Sequence, residues 1–241
     1  MIAGPDHVEH VPELAALGFL AYTTTRAFGS MGTATNEPVR DVMARWQTVL
    51  EHLRGAGVPR LATASQVHGA RVVVHRGGWD GWLRLPGADG HACEAGSATA
   101  AAVTVADCVP VFLAHPSGAS ALLHSGWRGT EARIVEAGID ALAAAGCRPG
   151  ELVLHLGPAI CGRCYEVSPD VYGRLTGRAV DRPTPVDLRS LIAAHARSRG
   201  VRTISVSALC TKCHGDRLFS HRGGDVGRQI SVMAAVPAHF A

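Results

Sequence analysis

Residues 98–114 read ATAAAVTVADCVPVFLA, an apolar run broken once, by Asp107. Within it, residues 100–114 predict a buried strand, or a pair of strands around Ala106-Asp107-Cys108. The run is too short to cross a bilayer. A carboxylate in such surroundings is costly unless paired or hydrogen-bonded. Asp107 is therefore expected to hold an arginine, to orient a ligand histidine, or to form an ion pair inside the sheet. Downstream, residues 119–124 form a strand that runs into Ser125-Gly126-Trp127-Arg128-Gly129. Ile134, Val135, Ile139 and Leu142 then mark one face of a helix over residues 130–145, with Gly146 at its C-terminus. Upstream, residues 19–25 predict a first strand and residues 41–53 a helix. Strands over 61–65 and 70–75 flank Gln66-Val67-His68-Gly69, and a Gly/Trp-rich loop spans 77–90. Beyond the helix, strands are expected over 152–156 and 201–208, with a helix over 186–199. No repeat, linker or composition break divides the chain, so residues 1–241 read as a single α/β domain with mixed strand directions.

Composition narrows the function. The chain has 241 residues, 47% apolar and 18% charged, with a formal net charge of +3. That balance excludes a disordered chain. Lys212 is the single lysine, and with no run of like charge there is no nucleic-acid-binding arm or stripe. The first 21 residues carry Asp6, His7, Glu9, His10 and Glu13 and lack the basic-then-apolar pattern of a signal peptide. A cytoplasmic monomer with no membrane contact is the expectation. Its 7 cysteines then read as thiols, metal ligands or catalytic groups.

Reactive residues concentrate where strands end. His68 follows one strand, Cys108 lies within the long apolar run and His124 closes a third strand. Two imidazoles and a thiolate suit Zn²⁺, and three protein donors with an open fourth position is the catalytic pattern. The competing reading makes Cys108 a buried core thiol. Arg128, between two glycines at a helix start, could hold an anion. Trp127 could stack a flat ring or simply pack in the core. Separately, Cys161-x-x-Cys164 and Cys210-x-x-Cys213 have the spacing of a structural zinc ribbon or a thiol redox pair. The intervening residues 165–209 exceed a usual ribbon loop, which leaves these four cysteines open.

Taken in order, these pieces form a pattern. Gln66-Val67-His68-Gly69, Ala106-Asp107-Cys108-Val109-Pro110-Val111, His124-Ser125-Gly126-Trp127-Arg128-Gly129 and Gly157-Pro158-Ala159-Ile160 precede Cys164-Tyr165-Glu166-Val167. Cys210-Thr211-Lys212-Cys213, Phe219-Ser220-His221-Arg222 and Gly227-Arg228-Gln229 follow. The set resembles the YfiH family, also called the multicopper polyphenol oxidase or laccase-domain family, from about Tyr22 to the C-terminus. The resemblance implies a layered α-β-β-α domain with a Zn²⁺ site made by His68, Cys108 and His124. It also implies phosphorolysis of adenosine, inosine, guanosine and methylthioadenosine, with adenosine deamination and copper-dependent phenol oxidation as further family activities. This chain departs from the pattern at Val105, Ser125 and His221-Arg222-Gly223, where the family has Thr, Ala and Tyr-Arg-Arg, and it matches loosely over 29–39.

Phosphorolysis needs an anion site, for which Arg26, Arg128 and Arg228 are the candidates, and an aromatic face for the purine, from Trp127 or Phe219. Asp107 and Glu166 are candidates for moving protons. The principal alternative is a metal-free hydrolase with Cys108 as nucleophile and His124 as base, a dyad used by deamidating toxins of related fold. It leaves His68 without a role. Multicopper chemistry is disfavoured because the chain contains no His-x-His pair.

Overall fold

The apolar run resolves into two strands that belong to different sheets, and Asp107 and Cys108 mark the crossing between them. A computed structural model describes residues 6–237, so of the N-terminal stretch read above residues 1–5 lie outside the described residues. Its strands are β1 (Val8–His10), β2 (Phe19–Thr24), β3 (Arg60–Ala64), β4 (Val72–His75), β5 (Gly81–Leu85), β6 (Gly90–Cys93) and β7 (Thr99–Val105). They continue with β8 (Val109–Ala114), β9 (Ser120–Ser125), β10 (Val153–Leu156), β11 (Glu166–Val167), β12 (Thr184–Pro185), β13 (Thr203–Val206) and β14 (Gln229–Ala235). The helices are α1 (Pro12–Ala15), α2 (Val39–Gly55), α3 (Trp127–Glu131), α4 (Ile134–Ala144), α5 (Pro169–Thr176) and α6 (Leu188–Ser198).

One sheet has the order β1-β2-β14-β7-β3-β5 and the other β13-β10-β8-β9-β6-β4. Both are mixed: β3 runs parallel to β5 and β7, β10 to β13, and β4 to β6, while the remaining neighbours are antiparallel. Side chains alternate across β7. Ala101, Val103 and Val105 face the second sheet and pack with Phe19, Phe112, Leu122 and Met233. Ala100 and Ala102 face the other way, under Val42, Trp46, Val49 and Leu53 of α2. On the far side, Ile134 and Ile139 of α4 and Ile192 of α6 cover Val111, Leu123 and Leu154. The layers therefore run α-β-β-α. Each large side chain buried in them contributes roughly 1.5–3 kcal/mol. Helix α4 approaches its sheet closely at Gly138, where a Cβ would stand 2.8 Å from Leu123.

Four local expectations change. The loop expected over 77–90 contains β5, because Trp82 and Leu83 pair with Leu61 and Ala62 of β3. The helix expected over 130–145 is two, α3 and α4, separated where Arg133 takes φ +57°. Cys108 lies in the crossing between β7 and β8, not within a strand. Strand β14, which no motif announced, sits in the middle of its sheet between β2 and β7. Among the described residues no helix is long and apolar enough to cross a membrane.

Candidate metal centre and cavity

His68, Cys108 and His124 meet at one end of the two sheets. Each offers one ligand atom, and these atoms lie within 4.8 Å of one another. His124 closes β9 and is buried; Cys108 is half-buried in the crossing; His68 is exposed in the turn after β3. His68 adopts φ +60°, an uncommon conformation for a residue with a side chain. What holds it there is Asp89, a fully buried carboxylate just before β6. Asp89 accepts from the main-chain N–H of Val67 at 3.2 Å, His68 at 2.9 Å and Gly69 at 2.7 Å, and from His124 Nδ1 at 3.0 Å. One carboxylate thus fixes the turn carrying the first imidazole and the tautomer of the second. With Nδ1 committed to Asp89, His124 presents Nε2 to the centre.

The electrostatics follow from these contacts. Burial would raise the Asp89 pKa, but the bond from His124 and the amides of Gly69 and Val67 hold it below the usual carboxylate range. Burial alone would likewise push the Cys108 thiol up, yet the His124 charge and hydrogen bonds from His124 and His68 bring it below the ordinary thiol value. The thiolate and Asp89 in turn raise His124 against the effect of burial. Cys93, buried without such partners, is pushed up to about 12.

Two nitrogens and a sulfur in mutual reach form a donor set suited to Zn²⁺. Gly126 lets Cys108 and His68 approach, since a Cβ there would lie 2.8 Å from Cys108 Sγ and 3.3 Å from the His68 ring. Gly126→Ala is accordingly expected to lower metal affinity by about tenfold or more, by displacing Cys108. Competition with a chromophoric chelator checks this, and unchanged affinity would remove the steric argument.

Asp107 is hydrogen-bonded, as its burial requires, but it orients no histidine and forms no ion pair among the described residues. It holds φ +84° and accepts from Thr211 Oγ1 at 2.6 Å, Ser220 Oγ at 2.7 Å and the N–H of Arg222 at 2.7 Å. It therefore ties the Cys108 crossing to the segment between β13 and β14, while Asp89 is the carboxylate that orients His124. No sequence signal singled out Asp89, because Pro86-Gly87-Ala88-Asp89-Gly90 reads as an ordinary turn.

The centre opens into a cavity of about 970 Å³ between α2, the sheet ends and the C-terminal loops. Met31, Met43, Trp46 and Trp82 form its apolar side, with the two indoles stacked at 4.6 Å between centroids. Arg84, Arg128, Arg222 and Arg228 supply its cations. Arg128 lies over Trp127 at 4.3 Å and Arg222 over Tyr165 at 4.9 Å. Burial raises the Tyr165 pKa, so its phenol stays protonated at neutral pH. Gln66 is clamped to β7 through the N–H, hydroxyl and carbonyl of Thr104. Trp127 both lines the cavity and packs partly against the core.

Three earlier candidates stand elsewhere. Arg26 is bound to Asp225 at 2.7 Å and to the carbonyl of Leu218, stacked on Phe219, and does not line the cavity. Phe219 is buried beneath it, and Glu166 is exposed on β11. Arg222, quoted above within a motif but not among the anion candidates, and Arg84, which no motif contains, complete the cations of the cavity. Arg84 depends on the unexpected strand β5.

The relatives agree with this architecture. The multi-copper polyphenol oxidoreductase laccase family matches residues 23–236. A protein of Streptomyces griseus named purine nucleoside phosphorylase is 32% identical over 207 residues, covering 83% of each chain. One of Streptomyces coelicolor with the same name is 34% identical over 209 residues, covering 83% of this chain and 84% of its own. The crystal structure of Bacillus licheniformis YfiH superposes with a TM-score of 0.82 over 97% of this chain and 98% of that one, at 22% identity, and shares its fold. With the profile spanning nearly every strand of both sheets, the chain belongs to the multi-copper polyphenol oxidoreductase laccase family, the YfiH family named from its motifs above.

Proposed function

We propose that the protein is a zinc-dependent purine nucleoside phosphorylase acting on adenosine, inosine, guanosine and methylthioadenosine. The observation that carries this reading is the placement of the His68–Cys108–His124 donor set and several guanidinium groups in one cavity. The names of the Streptomyces relatives support it. His68, Cys108 and His124 would hold the Zn²⁺, which would supply a Lewis acid for the charge that develops on the departing base. The remaining requirements fall to the chain. Arg128 and Arg222, each braced on an aromatic ring, are suited to grip phosphate through paired N–H donors. Arg228 has one nitrogen committed to the carbonyls of Val226 and Gly227 and is fixed in position at the cavity. The Met31–Trp46–Trp82 side offers a dry, flat surface for the purine. Tyr165 retains its proton and is available as a hydrogen-bond donor to substrate oxygen.

The test is incubation with adenosine and with inosine, each with and without phosphate. Base release that requires phosphate and yields the sugar 1-phosphate is expected. Base release at the same rate without phosphate would overturn the proposal, and ammonia from adenosine reports deamination at the same centre. Arg222→Ala and Arg128→Ala are each expected to raise KM for phosphate roughly 10- to 100-fold, the size of one lost charge-assisted bond of about 1.5–3 kcal/mol. A KM within twofold of wild type for both variants would place the anion elsewhere.

Asp89, His124 and Cys108 also stand in the order of an acid–imidazole–thiolate triad. That geometry is the specific observation favouring a thiol hydrolase. It leaves unused His68, whose strained turn is held by three hydrogen bonds into the cluster. Chelation separates the readings: a phosphorylase stops, whereas a thiol hydrolase continues.

A further inference from the structure

We propose that Cys161, Cys164, Cys210 and Cys213 bind a second, structural Zn²⁺ as a closed four-thiolate site. Their four sulfurs lie within 4.8 Å of one another. Four sulfurs about 2.3 Å from one tetrahedral ion stand about 3.8 Å apart, and the Cys164 and Cys213 sulfurs are 3.4 Å apart, so small shifts suffice to close the cluster on a metal.

The chain brings them together for a backbone reason. Strands β10 and β13 are parallel neighbours, and each runs out of the sheet at the same end into a Cys-x-x-Cys turn. The pairing continues past the sheet as a parallel bridge between Ala159 and Cys210. The length of residues 165–209, too great for a ribbon loop, is thereby no obstacle, because the sheet sets the two turns side by side. Within the turns, the N–H of Cys164 donates to the Cys161 carbonyl at 2.9 Å. The N–H groups of Cys161 and Cys213 donate to Cys210 Sγ at 3.2 and 3.4 Å. Amides directed at sulfur hold that ligand in place, as partners of ligating groups do around metal sites.

Composition selects the occupant. Four sulfurs with no carboxylate or imidazole among them are a soft donor set, which favours zinc over magnesium or calcium. A dithiol redox pair would need only two of the four. Binding Zn²⁺ releases the thiol protons and leaves a centre of net charge −2. Arg163 and Lys212, the single lysine of the chain, occupy the turns themselves. The position also gives the site a task. Thr211, inside the second turn, donates to Asp107 beside Cys108, and Tyr165, directly after Cys164, lines the cavity. The ion pins together the two loops that wall the candidate centre.

Metal content of the purified protein tests this independently of any activity. Two zinc ions per chain are expected in the wild type. Cys164→Ser and Cys213→Ser should each lose one and keep the other, and Cys108→Ala should lose the complementary ion. Protein loaded with Co²⁺ should show the intense near-ultraviolet charge-transfer band of a tetrathiolate site, and this band should persist in Cys108→Ala. The Cys108→Ala spectrum decides the matter even if the serine variants fail to fold, because Cys108 itself adds thiolate-to-cobalt absorption in the wild type. A single zinc that only Cys108→Ala removes would overturn the proposal. So would the absence of the tetrathiolate band, or a disulfide within the cluster in freshly purified protein.

Discussion

Cys108→Ala is expected to lower phosphate-dependent base release about a thousandfold and to empty the centre formed with His68 and His124. The substitution removes the one sulfur of a three-donor set and leaves two imidazoles, one of them on an exposed turn. A Lewis acid is worth several kcal/mol of transition-state stabilisation. With a tenfold change for every 1.36 kcal/mol, a loss of about 4 kcal/mol corresponds to about a thousandfold. Little stability should go with it, because Cys108 is half-buried and packs in none of the three core clusters. The assay is therefore the initial rate alongside zinc content and melting temperature. A variant that keeps its rate would remove Cys108 from the chemistry. One that loses both rate and fold would show instead that the crossing depends on its side chain.

The second large effect is expected at Asp89, through stability as well as metal. Asp89→Ala strips partners from three main-chain N–H groups and from His124 Nδ1, around a carboxylate that is itself fully buried. Leaving such groups unpaired costs on the order of 3 kcal/mol or more. For a chain of this length that is a fall in melting temperature of roughly 6–12 °C. Asp89→Asn retains size and one acceptor oxygen but turns an NH₂ toward donors. It should fold and bind zinc 10- to 100-fold more weakly, as when other partners of ligand histidines are removed. Equal zinc affinity in Asp89→Asn and wild type would mean that the imidazole needs no orienting group.

The residues that could be read from sequence are those whose chemistry is local. The run over residues 98–114 announced buried strands through composition alone. The glycines after His124 read as framing Arg128 for an anion, whereas the close fit at Gly126 is against Cys108. Pairing across the fold was not legible. Asp89 looks like turn chemistry until β6 sets it against β9, where its carbonyl also receives the His124 N–H at 2.7 Å. Arg84 looks like part of a loop until β5 pairs with β3. Arg26 reads as available for an anion because nothing nearby in sequence foretells Asp225. Asp107 was rightly singled out as a carboxylate needing partners. Those partners, Thr211, Ser220 and the Arg222 amide, come from a distant stretch of chain.

The central place of β14 bears on the order in which the molecule can assemble. Thr23 and Ser231 share a hydrogen bond across 208 positions of chain, and Ile230 donates to Thr24 across 206. Contacts that distant carry the greatest loop-closure entropy and slow folding. The three candidate metal donors and Asp89 all fall between residues 68 and 124, whereas Arg228 immediately precedes the late strand. Entropy therefore favours gathering the imidazoles and the thiol before the guanidinium wall arrives. A nascent chain would present them to an ion while that side of the cavity still lay open.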